Sequence, residues 1–109
     1  MIKGFISKNY DGSVEKYVTI HGSILEPKES QEVINHSPNG FSWGYGGSGP
    51  AQLALAILLR FCRKEEAVKL HQPFKWDIIA KFPIDEEWEL TDTRVHDWLD
   101  AMRKRGRHG

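Results

Sequence analysis

One run constrains this chain more than any other feature: Ala51-Gln52-Leu53-Ala54-Leu55-Ala56-Ile57-Leu58-Leu59-Arg60-Phe61-Cys62. It is rich in strong helix formers, and only Gln52 and Arg60 are polar. A helix apolar nearly all round has no face suited to water, so it must be covered on most sides. Pro50 stands directly before it and suits a first helical position, where its missing N–H would have no partner anyway. The expectation is a central helix that begins at Pro50, has Gly49 as its cap, and organises everything else around it.

The flanking segments supply a sheet and a second amphipathic helix. Residues 2–8 read as a strand, Asn9-Tyr10-Asp11-Gly12 as a hairpin turn, and 14–20 as the returning strand. In the second strand Val14, Val18 and Ile20 share one face, with Glu15, Tyr17 and Thr19 on the other. Gly22, Pro27, Ser30 and Pro38 punctuate the next stretch, where Ile24-Leu25 and Val33-Ile34 fit brief strands. Phe41-Ser42-Trp43-Gly44-Tyr45 alternates and is expected to be extended.

Beyond the central helix, 63–71 remain helical with Ala67, Val68 and Leu70 facing inward. Residues 74–82 alternate apolar and polar. That period of two favours a strand burying Phe74, Trp76, Ile78, Ala80 and Phe82 over a short helix, although Phe74, Ile78 and Phe82 also fit a spacing of four. Pro83 ends this element, and Trp88 and Leu90 add a short extended piece. Thr91 then serves as N-cap with Asp92 in the first turn, and Val95, Trp98, Leu99 and Met102 repeat at three and four until Gly106.

The sum is one α+β domain over 1–109. A small antiparallel sheet, the N-terminal hairpin plus further strands, packs on a buried central helix and a C-terminal amphipathic helix, with 103–109 a frayed basic tail. The single cysteine, Cys62, excludes an internal disulfide, and the first residues show no signal-peptide pattern. The apolar run is far shorter than the roughly 20 residues that cross a bilayer. A cytoplasmic protein with no membrane partner is expected.

Gly44-Tyr45-Gly46-Gly47-Ser48-Gly49 matches G-x-G-x-x-G, follows an extended segment and opens a helix. In dinucleotide-binding folds this pattern lets a pyrophosphate approach the backbone. The chain is short for such a fold, and the acidic pair Glu65-Glu66 falls in a helical stretch rather than at a strand end. No dinucleotide cofactor is therefore expected, nor any other. The simpler feature is the helix end itself. With Gly49 as cap, the amides of Ala51 and Gln52 point outward beside the glycine amides and the Ser48 hydroxyl, which makes an anion site. The competing reading is that Ser48 caps those amides, or that the glycines serve only close passage past aromatic neighbours.

The candidate ligand-binding set is thus Gly44, Tyr45, Gly46, Gly47, Ser48, Gly49, Ala51 and Gln52, flanked by His36 and Trp43. His36 reads as a turn residue whose imidazole bonds backbone, or as the wall of a pocket beside the loop. An exposed Trp43 or Tyr45 would stack on a base or anchor a partner; otherwise Trp43, Trp76, Trp88 and Trp98 are core or half-core residues. No catalytic residue is assigned. The elbow G-x-S-x-G fails at Pro50, and none of His21, His36, His71 or His96 is singled out as a base. No two histidines stand three or four apart and Cys62 has no second cysteine, so no metal site is expected.

Three segments together, Asn35-His36-Ser37-Pro38, Phe41 with Trp43-Gly44-Tyr45, and Gly47-Ser48-Gly49-Pro50-Ala51-Gln52-Leu53-Ala54-Leu55-Ala56-Ile57-Leu58, are similar to a known signature. It is N-H-S-P-x-G-F-x-W-G-Y-x-G-S-G-P-A-Q-L-A-L-A-I-L, and it marks a family of short domains found in bacteria, plasmids and phages. Phe74-Lys75, Pro83, Trp88, Leu90-Thr91 and Trp98-Leu99 extend the likeness, while the N-terminal hairpin matches loosely. The resemblance implies a domain that travels on mobile elements, where small proteins often inhibit host systems. It carries no established activity, cofactor or catalytic residue.

Two functional classes follow. The first is a non-enzymatic module that binds an anionic small molecule or nucleotide at the glycine loop. The second is an interaction protein that blocks a host protein through exposed aromatics or the acidic stretch Asp85-Glu86-Glu87. Nucleic acid ranks last as a partner. Formal net charge is zero, and only the basic tail argues for it.

Overall fold

A computed structural model describes residues 1–106. Strands β1 (Ile2–Lys8) and β2 (Val14–Ile20) form the expected hairpin, with Phe5 opposite Tyr17 and Lys8 opposite Val14. Asp11 holds its turn by accepting from the Ser13 amide at 2.9 Å and the Ser13 hydroxyl at 2.6 Å. At the other end of β2, His21 and Gly22 both take positive φ, 50° and 82°, and return the chain as β3 (Ser23–Ile24). Strand β4 (Trp88–Leu90) pairs with the outer edge of β1, so the antiparallel sheet runs β3-β2-β1-β4. Its buried face carries Ile2, Val18, Ile20, Trp88 and Leu90; Val14, at the hairpin tip, is exposed. Gly4 lies on that face too, because a β-carbon there would strike the Trp88 indole, itself stacked on Phe82 with centroids 4.3 Å apart.

Helix α1 (Lys28–Val33) takes the place of the brief strand expected at Val33-Ile34. Helix α2 (Ser48–Leu58) is the central helix, and every residue from 49 to 58 is buried. It begins two residues earlier than expected. Gly47 is the cap, and Pro50 occupies the third helical position, still within the turn whose amides have no helical acceptor.

Helix α3 (Lys64–Asp77) and a following 3₁₀ turn (Ile79–Lys81) replace the strand expected at 74–82. Of the two periods that stretch satisfies, the helical one is buried: Phe74 and Ile78 are in the core and Phe82 packs against it, while Trp76 is 56% exposed. Packing decides the matter, since the Phe74 ring meets Trp98 edge-on at 4.9 Å, and Pro73 is absorbed inside the helix.

Helix α4 (Asp92–Gly106) starts where Thr91 Oγ1 accepts the Arg94 amide at 3.1 Å, and buries Val95, Trp98 and Leu99. Asp92 ties it to the sheet by accepting from the Met1 ammonium at 2.6 Å and from His21 at 2.5 Å; these two donors hold its carboxyl below the usual range. Trp98 donates to Asp77 at 2.8 Å, and Arg103 grips both oxygens of Glu66 at 2.7 and 3.0 Å. The basic stretch is therefore helical through Gly106 rather than frayed from Arg103; residues 107–109 of the expected tail lie outside the described residues. Among the described residues, no helix is long and apolar enough to cross a membrane.

Candidate functional site

Residues 41–47 carry the chain from the sheet side to α2 without regular structure, so the expected extended alternation does not become a strand. Trp43 is fully buried: its indole donates to the Glu86 carbonyl at 2.9 Å and its ring meets Trp88 edge-on at 5.5 Å. It is core, and no ligand reaches it. Gly44 takes φ +87°, donates to the Ile79 carbonyl at 3.0 Å, and would place a β-carbon 2.7 Å from the Ile84 backbone. Its role is structural.

The remaining glycines are also explained by close neighbours. A β-carbon on Gly46 would enter the Trp76 ring, one on Gly47 the Tyr45 ring, and one on Gly49 would come 2.7 Å from Ser42 Cβ. Close passage, past aromatic rings at Gly46 and Gly47 and past Ser42 at Gly49, therefore accounts for these glycines. It does not account for their amides. Ala51 donates to the Gly47 carbonyl at 3.1 Å, and Gln52 lies deeper in α2, so the two amides expected to face outward are inside the helix. The amides without an acceptor among the described residues belong instead to Gly46, Gly47, Ser48 and Gly49. Ser48 makes no capping bond, and both Ser48 and Gly46 are exposed. The Tyr45 hydroxyl, which approaches the β position of Gly49 to 3.4 Å, is another donor that finds no acceptor there.

Gln52 is a clasp rather than a ligand group. Its side chain is fully buried, and Oε1 accepts from the amides of His36 at 2.8 Å and Ser37 at 3.0 Å. Its Nε2 donates to Ser30 Oγ at 2.9 Å and the Ile34 carbonyl at 3.1 Å. The loop over 34–37 is thereby pinned to α2. Pinning it places the His36 imidazole against α3, not on backbone as a plain turn residue would have it. There His36 Nε2 lies 2.9 Å from His71 Nε2, while His71 Nδ1 lies 2.6 Å from the Val68 carbonyl.

One helical turn beyond His71 stands Lys75, only 7% exposed. Its ammonium sits 4.4 Å from the Trp76 ring centroid, and that ring packs on Gly46. Burial first, then the charges of His71 and Lys75, hold His36 below its ordinary value, so Lys75 is close enough to act on it. Among the described residues the Lys75 ammonium forms neither an ion pair nor a hydrogen bond.

The arrangement brings together Tyr45, the 46–49 amides, Ser48 and His36 from the expected set, and leaves Trp43, Ala51 and Gln52 behind as framework. It adds His71, Lys75 and Trp76. The acidic stretch proposed for a protein contact has internal duties: Asp85 pairs with Lys16 at 3.3 Å, and Glu87 accepts the Ile6 amide at 3.0 Å.

A small α+β domain with an open, donor-rich helix entrance is the class these features define. The chain matches the family of unknown function DUF6166 over residues 9–101 and belongs to that family. No curated protein and no solved structure shows a significant match to it.

Proposed function

We propose that this protein is a binding module, without catalytic chemistry of its own, that takes a small oxyanion at the N-terminus of α2. The observation that carries the reading is a surplus of donors. Among the described residues the amides of Gly46, Gly47, Ser48 and Gly49 have no acceptor, and the Lys75 ammonium, over the Trp76 ring that packs on Gly46, has no ion-pair partner. Unpaired helix-terminal amides and a nearby cation favour the same kind of guest, a phosphate or carboxylate. The histidine pair adds polar groups and no carboxylate.

The test is an amide-resolved titration with inorganic phosphate and, separately, with acetate. Shifts at Gly46, Gly47, Ser48 and Gly49 with little change at Ala51 are the expected result. Lys75→Met, which keeps the buried stem and removes the charge, should weaken binding on the order of tenfold. Absence of any shift at the loop with either anion would overturn the reading.

A further inference from the structure

We infer that the protein pairs with a second copy of itself, in a weak two-fold dimer, through an apolar patch made by Tyr45, Trp76 and Ile84. These three side chains are exposed by 43%, 56% and 57%, and they border one short stretch of backbone. Ile84 packs on Gly44, the Trp76 ring on Gly46 and the Tyr45 ring on Gly47. A β-carbon on any of these glycines would collide with them, so the loop adds no side chain that would divide the patch. Nor does the core require an indole at 76, since its neighbours Phe74 and Ile78 supply the buried contacts of this end of α3. Contiguous apolar surface of this kind on a small domain marks a contact site.

The charges at its two ends say what covers it. At the Trp76 end the Lys75 ammonium lies 4.4 Å from the ring centroid, with no ion-pair partner among the described residues. At the Ile84 end follow Asp85 and Glu86, both exposed. Asp85 pairs with Lys16, whereas Glu86 has no ion-pair partner among the described residues. A copy turned end for end lays its Trp76 end on the Ile84 end of the first. Each Lys75 then approaches the other copy's Glu86, and the apolar side chains meet between them. That self-complementarity is what a closed, isologous contact requires. A purely acidic or purely basic partner would match one end and oppose the other.

Area sets the strength. The three side chains together expose roughly 300 Å², against about 800 Å² per partner in a stable interface. They can form the apolar centre of a contact whose rim is polar, but not an obligate dimer. The dissociation constant is therefore expected to lie above about 1 µM.

The experiment is sedimentation equilibrium of the full chain in a Tris chloride buffer free of oxyanions, which keeps its outcome independent of the oxyanion reading. Between about 10 µM and about 1 mM the average mass should climb from the monomer's 12.5 kDa towards twice that. Trp76→Glu and Ile84→Glu each change an exposed position, so both variants are expected to stay folded, which circular dichroism checks. Each should raise the dissociation constant by more than about tenfold. Glu86→Lys sets a cation against the other copy's Lys75 and should raise it roughly three- to tenfold at low salt, an effect that shrinks as salt is added. A protein that stays monomeric up to about 1 mM would overturn the inference and give the patch to a different molecule. A dimer that survives both Trp76→Glu and Ile84→Glu would overturn it too, because the copies would then meet through another face. Pairing as tight in Glu86→Lys as in wild type would remove the end-for-end match on which the choice of a second copy rests.

Discussion

The Nε2 atoms of His36 and His71 lie 2.9 Å apart, a separation at which one ring must donate and the other accept. The Val68 carbonyl can only accept, so His71 carries its proton on Nδ1 and presents a lone pair at Nε2. His36 in turn donates from Nε2. That bond needs only one lone pair between the two Nε2 atoms and so survives a proton added to His36, but the added proton places a cation beside Lys75.

This predicts acid sensitivity. His36 is held below 6.5 by burial, then by His71 and Lys75, so the unfolded chain binds its proton more readily than the native one. Its stabilising contribution is complete above about pH 6.5 and is lost as pH falls from there through the lower native value. The urea midpoint should fall between about pH 7 and about pH 5. In His36→Gln the decline should be shallower. An identical decline in both proteins would place its origin elsewhere.

Gln52 joins α1, the 34–37 loop and α2 through four hydrogen bonds from one buried amide. Gln52→Leu keeps the volume but strands two amides, a hydroxyl and a carbonyl. A loss of about 2–4 kcal/mol in equilibrium unfolding is expected, against about 1–2 kcal/mol for Ser30→Ala, which removes only the links to Gln52 and to the Pro27 carbonyl. Equal costs for the two would mean that Gln52 does not organise the network.

Much of the fold was legible because its signals are local. The alternation of 2–8 and 14–20 with Asp11-Gly12 between them defines the hairpin to the residue, and the composition of 51–58 identifies the central helix. The helix start was not, since proline is tolerated throughout the first turn and Pro50 therefore does not mark its first residue. At Phe74, Ile78 and Phe82 the periods of two and four coincide, and only packing against Trp98 selects the helix. That ambiguity also hid half of the site. His71 and Lys75 share a face only if α3 runs through Pro73, and Trp76 is exposed only in that helical phase. The glycine loop itself was visible, though which amides are free depends on where the helix begins.

Gly44 and Gly12 separate backbone strain from crowding. Both have φ near +85°, at +87° and +85°, but a β-carbon on Gly12 meets open space, whereas one on Gly44 would sit 2.7 Å from the Ile84 backbone. Gly12→Ala should cost about 1 kcal/mol, from the left-handed conformation alone. Gly44→Ala should cost about 3 kcal/mol, because the segment carrying Ile84 must also move. Thermal unfolding of the two variants measures the difference, and matching values would show that the Ile84 segment yields freely.

Cys62 is expected to be inert while the fold is intact. Burial first, and the Glu66 carboxylate second, push its thiol up to about 11, and Sγ donates to the Leu58 carbonyl at 3.2 Å. Only the thiolate reacts, and at pH 8 roughly a thousandth of the native population would carry one. Labelling by a disulfide reagent should therefore be slow in the native protein and fast in urea. Glu66→Gln removes the like charge and leaves Arg103, which favours the thiolate, with Asp100 as its ion-pair partner. Native labelling should then accelerate with little change in the unfolding midpoint, because an exposed ion pair of this kind contributes about 0–1 kcal/mol. If Glu66→Gln labels no faster than wild type, burial alone protects the thiol and the carboxylate has no part in it.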